Sequence, residues 1–356
     1  MNIFLSEEWW KTATIEAIKA ELNDGADAKQ RNENGMTPLM YSVSNWQNNN
    51  PETIKILIKH GADVNDKDND GTTALMYACK YNSNPEIIKT LIDCGANINE
   101  RNESRTTPFM YACEYNPNPE IIKTLAKYGA DINETNEYGR TPLMYASSSW
   151  WNTNPKIIKT LVEMGADINA RDKNGMTPLM YACEYNENVE IIETLVKLGA
   201  NIHTQNEYGI TPLMYAATSE WNDNIATLKT LQKLGADINS ANEKGTTVLM
   251  YASYRSEDTT ILTTLIELGA NIRKKDYSGK TALMYSVLYN NNIEIIKTII
   301  KLGADVNNRD NDDMTALLYA SIDNKNPEII KILIENGADI TAKDKHGKTA
   351  IDYAQN

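Results

Sequence analysis

Histidine and phenylalanine are nearly missing from this 356-residue chain, with three of the first and two of the second. His60, His203 and His346 stand far apart in unrelated local contexts, so no designed pair is present to hold a metal or activate a nucleophile. No Gly-rich phosphate loop and no H-E-x-x-H, C-x-x-C or G-x-S-x-G pattern occurs. Asp68-Asn69-Asp70-Gly71 opens like a calcium loop, but position twelve of that loop is Cys79 rather than Glu, which leaves a plain turn. These absences point away from an enzyme and from any cofactor. Cysteine is also scarce. Cys79, Cys113 and Cys183 each follow Tyr-Ala and Cys94 precedes a glycine, a pattern of equivalent small core positions too far apart to bridge. Reduced thiols and the lack of a charged, then apolar, leader predict a cytoplasmic protein, although processing would hide a leader. No run approaches the ~18 apolar residues that span a bilayer.

Positive charge is in deficit: 35 Lys and Arg against 48 Asp and Glu give a net charge of −13, and the only basic run is Arg273-Lys274-Lys275. Such a surface disfavours nucleic acid and anionic membranes. Nineteen tyrosines against two phenylalanines make the aromatic surface amphipathic.

All eighteen glycines fall on two positions of one repeating unit. Ten open a Gly-Ala step (Gly25 to Gly337), spaced 36, 34, 34, 36, 34, 36, 34, 34 and 34 residues apart, and eight follow ten residues later (Gly35 to Gly347). Strict glycine periodicity implies a strictly periodic backbone. In one unit, Thr177-Pro178 reads as an N-cap and first helical residue, and a short helix runs to about Tyr185. A second helix, with Ile191, Ile192, Leu195 and Val196 at helical spacing, extends from about Val189 to Leu198 and stops at Gly199. Asn-Pro opens the second helix at Asn50, Asn84, Asn118, Asn154 and Asn326, and hairpin-type turns such as Asn136-Glu137-Tyr138-Gly139 join the units.

The pattern D-x-x-G-x-T-P-L-x-x-A…G-A-D-[IV]-N resembles the ankyrin repeat and covers nearly the whole chain. The resemblance implies an all-α solenoid of stacked helix pairs, with β-hairpin fingers and a concave groove formed by fingers and first helices. It implies one array over 1–356, with an N-terminal capping unit at 1–28, consecutive repeats over 29–340 and a truncated capping unit at 341–356. Three features depart from the family. Met (Met40 to Met284), then Leu318 and Asp352, replace the usual His after Thr-Pro-Leu, so apolar packing is expected in place of its hydrogen bond. The unit is one residue longer than the family's common length of about 33. Ala74, Val248, Ala282, Ala316 and Ala350 replace the proline. At the ends, Trp9, Trp10, Ile15, Ile18 and Leu22 suit a cap, and Asp352 suits a polar outward terminus. Arg105 and Asp313 occupy finger-glycine positions, where distortion is expected.

Function is then sought on the surface. A tyrosine recurs after every Met-type position (Tyr41 to Tyr353), either packed between helices with a wet hydroxyl or lining the groove. Varying positions are the better binding candidates. A second tyrosine follows four residues later at Tyr81, Tyr115, Tyr185 and Tyr289, and of these Tyr115 and Tyr185 are taken as contacts together with Tyr254. Finger tips carry Met36, Tyr138, Arg140, Met176, Tyr208, Ile210, Tyr277 and Met314. Each 36-residue unit also bears tryptophan between its helices (Trp46, Trp150 with Trp151, Trp221), as a local lid or as a presented ring. These signals converge on 136–222. The reading is a monomeric, non-enzymatic module that binds a protein or extended peptide, with basic patches on the partner as the complement to its acidic charge; a small-molecule or glycan receptor is the alternative. Scaffolding, inhibition and sequestration remain equal in this reading.

Overall fold

The computed structural model describes residues 3–44, 50–220, 224–290, 292–322 and 326–354. Among them are twenty-one α-helices after a short 3-10 turn at Ile3–Leu5. The helices come in pairs, for example Pro108–Tyr115 with Pro119–Lys127 and Val248–Arg255 with Thr259–Glu267. Caps fix their starts. Thr107, Thr141, Thr211 and Thr247 accept the backbone N–H three residues on, and Asn84, Asn118 and Asn154 cap second helices whose first residue is proline. Each cap contributes about 1 kcal/mol.

The chain forms two compact units, Met1–Ala182 with Thr194–Ala200, and Cys183–Glu193 with Asn201–Asn356. In the first, first helices stack on first helices (Pro38–Ser44, Ala74–Tyr81, Pro108–Tyr115, Pro142–Ser148) and second on second. The second unit repeats the scheme from Pro212–Thr218 to Ala350–Ala354. Between the rows lies a core of Leu75, Met76, Ile87, Ile88 and Leu91, all essentially without solvent contact, repeated in the inner units. The thiols of Cys79, Cys113 and Cys183 are buried and unbridged, and burial pushes them up.

The methionine row does more than pack. Thr37, Thr73, Thr141 and Thr247 donate their N–H to the sulfur of the methionine three residues on, at 3.4–3.5 Å, so the expectation of purely apolar packing is corrected. Sulfur is a weak acceptor in the right place.

A finger Asn or Asp ties each unit together. Asn136 Oδ1 accepts N–H from Tyr138 and Arg140, both at 2.9 Å, and its Nδ2 donates to the Tyr145 hydroxyl at 2.9 Å. Where the residue is aspartate the tyrosine becomes the donor, as in Tyr77 to Asp68, Tyr181 to Asp172, Tyr285 to Asp276 and Tyr319 to Asp310. The same bond joins Tyr41, Tyr111, Tyr215 and Tyr353 to their fingers. The expected wet hydroxyl is therefore corrected: nine of the ten row tyrosines are held by a finger. The exception is Tyr251.

Fingers are tight turns, with only two isolated β-bridges among the described residues, Lys67 to Thr73 and Ala241 to Thr247. Successive fingers bond through their backbones, Lys173 N–H to Tyr138 O at 3.1 Å for one. Arg105 and Asp313 take φ of 57° and 59° and keep the finger hydrogen bonds, so the expected distortion is absent. The two glycine positions differ physically. All eighteen have φ between 74° and 105°. A side chain on Gly269 would meet nothing, whereas one on Gly279 would lie 2.8 Å from Asn311 N and 2.9 Å from Asp310 Cα.

A further rung uses the last residue of the G-A-D-[IV]-N step. Asn65 donates to Gly95 O at 2.9 Å and accepts from Asn97 N–H at 2.8 Å; Asn239 does the same with Gly269 and Asn271, and Asn307 with Gly337 and Asp339. His203 and Arg273 replace the asparagine in the second unit. At the N-terminal end Trp10 is wholly buried and donates Nε1–H to Phe4 O at 2.8 Å. At the other end Asp352 is exposed, as expected of a polar terminus, and its carboxylate also accepts from the N–H and hydroxyl of Thr349, both at 2.8 Å. The outer face there also carries the exposed Ile334, Ile340 and Ile351.

Tyr145→Phe is expected to lower the urea unfolding free energy by about 1 kcal/mol, and Tyr251→Phe to change it far less; equal losses contradict the finger bond as the cause. Gly269→Ala is expected to cost about 1–2 kcal/mol from its backbone conformation alone. Gly279→Ala, which also strikes the next finger, is expected to lower the urea midpoint further than Gly269→Ala.

Candidate binding surface

The fingers sort the candidate residues by position. Residues one or two places before the finger glycine stand outward: Tyr138 and Tyr208, directly before it, and Tyr277, two before it, are 58%, 67% and 74% exposed. Residues just after it turn inward, because their N–H is drawn onto the finger Asn or Asp and the chain enters the next helix. Met176 and Met314 are consequently buried, a correction to their reading as presented tips, and Met36, Arg140 and Ile210 are half-buried. Cationic side chains at this position lie on the next tyrosine ring: the Arg140 guanidinium is 4.9 Å from the Tyr181 centroid and the Lys280 ammonium 5.8 Å from that of Tyr319.

The extra length of one 36-residue unit is a two-residue bulge. Ser149 donates to Glu114 O, and Asn152 donates to Cys113 O at 3.2 Å and Asn116 O at 2.8 Å, so both flanking residues are pinned and buried. Trp150 and Trp151 are thrown outward between them, 63% and 70% exposed, with ring centroids 5.8 Å apart. Rings so exposed do not form a lid. Trp46 and Trp221 lie outside the described residues.

The second tyrosines border the first-helix face. In the first unit Tyr111 and Tyr115 stack at 6.2 Å, Tyr77 and Tyr81 at 6.3 Å, and the Lys80 ammonium sits 5.0 Å from the Tyr81 ring and 4.6 Å from that of Tyr115. In the second unit Tyr254 is edge-on to Tyr251 at 6.1 Å and to Tyr289 at 5.3 Å, and the Arg255 guanidinium leans on Tyr254. Tyr185 is half-buried. Sequence reasoning passed over Lys80, Glu114 and Glu184, which share one repeat position beside the second tyrosine; that shared position was the available signal. Burial pushes the Glu114 carboxyl up, opposed by a hydrogen bond with Tyr115 and by Lys80 and Arg140. Glu184 is pushed up to about 7 by burial, with Arg255 opposing and Glu220 adding to the rise.

The arrangement supplies rings, amides and isolated charges to a binder. Among the described residues no three His, Cys, Asp or Glu side chains converge as metal ligands would, and no helix is long and apolar enough to cross a membrane. Capped helix pairs stacked in rows, with fingers bonded head to tail, define an α-solenoid built of repeats. Models of ankyrin repeats match residues 11–102, 81–172, 149–242 and 221–310 (in sets of three copies) and 299–354 (in many copies). The chain belongs to the ankyrin repeat family. Ankyrin repeats are generally protein–protein interaction modules and typically non-enzymatic. No curated protein matches the chain in sequence.

The raised Glu184 carboxyl fixes a pH dependence. Folded Glu184 keeps its proton up to about 7, whereas an unfolded glutamate releases it near 4.3. The folded state therefore binds more protons in this window, and this group's contribution to stability falls as pH rises from about 4.5 to 7. Urea unfolding from pH 5 to 8 should show that decline in the parent and a flatter profile in Glu184→Gln. Parallel profiles contradict the assignment.

Proposed function

We propose that this protein is a non-enzymatic recognition module that binds a protein or extended peptide through the face made by its fingers and first helices, with residues 136–222 as the main contact segment. One observation carries the reading: the tyrosine row is locked by finger bonds, while a second, varying set of aromatics is left exposed. Tyr138, Trp150 and Trp151 in the first unit, and Tyr208 and Tyr277 in the second, stand on a background of Asn, Asp and Glu. Large rings presented on a polar surface are the residue type that anchors interfaces. Arg140, Tyr115, Tyr185, Tyr254 and Ile210 border the same faces half-buried, where a ligand completes their burial. The net charge of −13 favours a partner with basic patches. A small-molecule receptor is less well supported. The hollow between Asp70, Tyr77, Lys80, Tyr81 and Tyr111 holds about 160 Å³, short of the roughly 300–1,000 Å³ of drug-sized sites.

Crosslinking from the tagged chain in lysate, compared with Tyr138→Ala/Trp150→Ala/Trp151→Ala and with Tyr208→Ala, tests the reading. The triple variant should keep its helical content and urea midpoint, since its side chains are exposed, and should lose at least tenfold in captured partner. Undiminished capture by both variants sinks the contact segment.

A further inference from the structure

Residues 111–151 and 181–221 are two versions of one segment, identical at 28 of 41 positions. Both contain Tyr-Ala-Cys-Glu-Tyr, and in both a serine pins the following turn to the carbonyl of the glutamate, Ser149 to Glu114 and Ser219 to Glu184. They differ in what faces the carboxylate. In the first version Glu114 has Lys80 and Arg140 as cationic neighbours, and the Arg140 guanidinium lies on the Tyr181 ring at 4.9 Å. In the second, Ile210 stands where Arg140 would be and Glu220 stands where Trp150 would be, so one cation is removed and one anion added. Glu184 Oε2 is buried without a partner, on a side chain that is otherwise only half-buried. Arg255 is the cation that acts on Glu184, yet it is engaged with the Tyr254 ring at 5.7 Å and leaves the oxygen unmatched. The other groups acting on the site are Tyr185 on its own helix, Tyr215 on Pro212–Thr218 and Tyr251 on Val248–Arg255. A half-buried carboxylate beside tyrosine rings is what a guanidinium satisfies best, through a charge-assisted hydrogen bond on one side and stacking on the other.

We propose that Glu184 is the seat for an arginine side chain of a partner protein, its guanidinium lying over Ile210 between the Glu184 carboxylate and the Tyr251 ring, at the position from which Arg140 covers the Tyr181 ring in the first copy. The seat rests on the reading of this face as a protein-binding surface and names one anchor on it. The incoming arginine fills the place of a residue the second copy has lost, and the contact of Arg140 with the Tyr181 ring in the first copy is the precedent for its stacking on Tyr251.

The test uses the full chain at pH 8, where the carboxylate is ionised, titrated with acetyl-Gly-Gly-Arg-Gly-Gly-amide and its citrulline and lysine counterparts, and followed by NMR of the glutamate side-chain carboxyls. The arginine peptide should shift the Glu184 signal saturably, the citrulline peptide should not, and lysine should bind several-fold more weakly for want of ring stacking. Glu184→Gln should abolish the response. Ile210→Arg, which restores the first-copy arrangement, should weaken it at least tenfold and raise the melting temperature. Glu114→Gln should leave it unchanged. No shift of Glu184, an equal response to citrulline or lysine, or a response that survives Glu184→Gln overturns the proposal. Those results leave the broader reading standing, because partner capture that depends on the exposed aromatics but not on Glu184 refutes the arginine seat alone.

Discussion

One short polar side chain governs each repeat. The finger Asn or Asp closes its own turn by accepting two backbone N–H groups, and in every repeat but that of Tyr251 its remaining atom reaches nine residues along the chain to a tyrosine hydroxyl on the first helix. Without it the finger has no fixed angle to the helix, successive fingers cannot align their backbone bonds, and the residues around the finger glycine lose the inward and outward directions on which the binding surface depends. The interaction also explains the tyrosine row. A phenol oxygen can donate to aspartate or accept from an asparagine amide, so tyrosine works with either finger residue. Phenylalanine works with neither, and this accounts for tyrosine at the nine bonded row positions.

The architecture was largely legible in the sequence because it rests on local rules: Thr and Asn caps, proline at the first helical position, glycine at positive φ, and apolar residues at helical spacing. Helix ends at Tyr185 and near Lys197 follow from those rules alone. What escaped depends on which local partner a side chain selects once the turn or helix end is assembled, even where that partner is only three residues away. Residue type alone does not say that Asp352 bends back to Thr349, that methionine sulfur accepts a threonine N–H, or that Arg105 adopts a glycine-like backbone within an intact finger. The conformational cost at Arg105 is outweighed by the neighbouring hydrogen bonds, which only the assembled turn reveals.

The surface divides along similar lines. Exposure of Tyr138, Tyr208 and Tyr277 follows from their place before the glycine, but burial of Met176 does not follow from its residue type, and both positions read as tips. The tryptophan bulge was visible only as two extra residues; its outward direction comes from the pinned serine and asparagine on either side, whose acceptors lie in the preceding repeat. Glu184 was the least legible. Its sequence context is shared with Glu114, and the two are told apart only by residues 26 positions later, Arg140 and Ile210, which the fold carries to the same side of the helix row.

The asparagine rungs carry a mechanical consequence. Where Asn65, Asn239 and Asn307 bridge, two bonds resist the slippage of one unit past the next; where His203 and Arg273 stand instead, that stitch is absent and the backbone ladder and apolar contacts bear the strain alone. Under tension along the chain, the second unit would yield first at those two seams and peel outward from them. The second unit would thus give way in pieces of one or two repeats, and a chain built from one motif acquires a preferred order of failure.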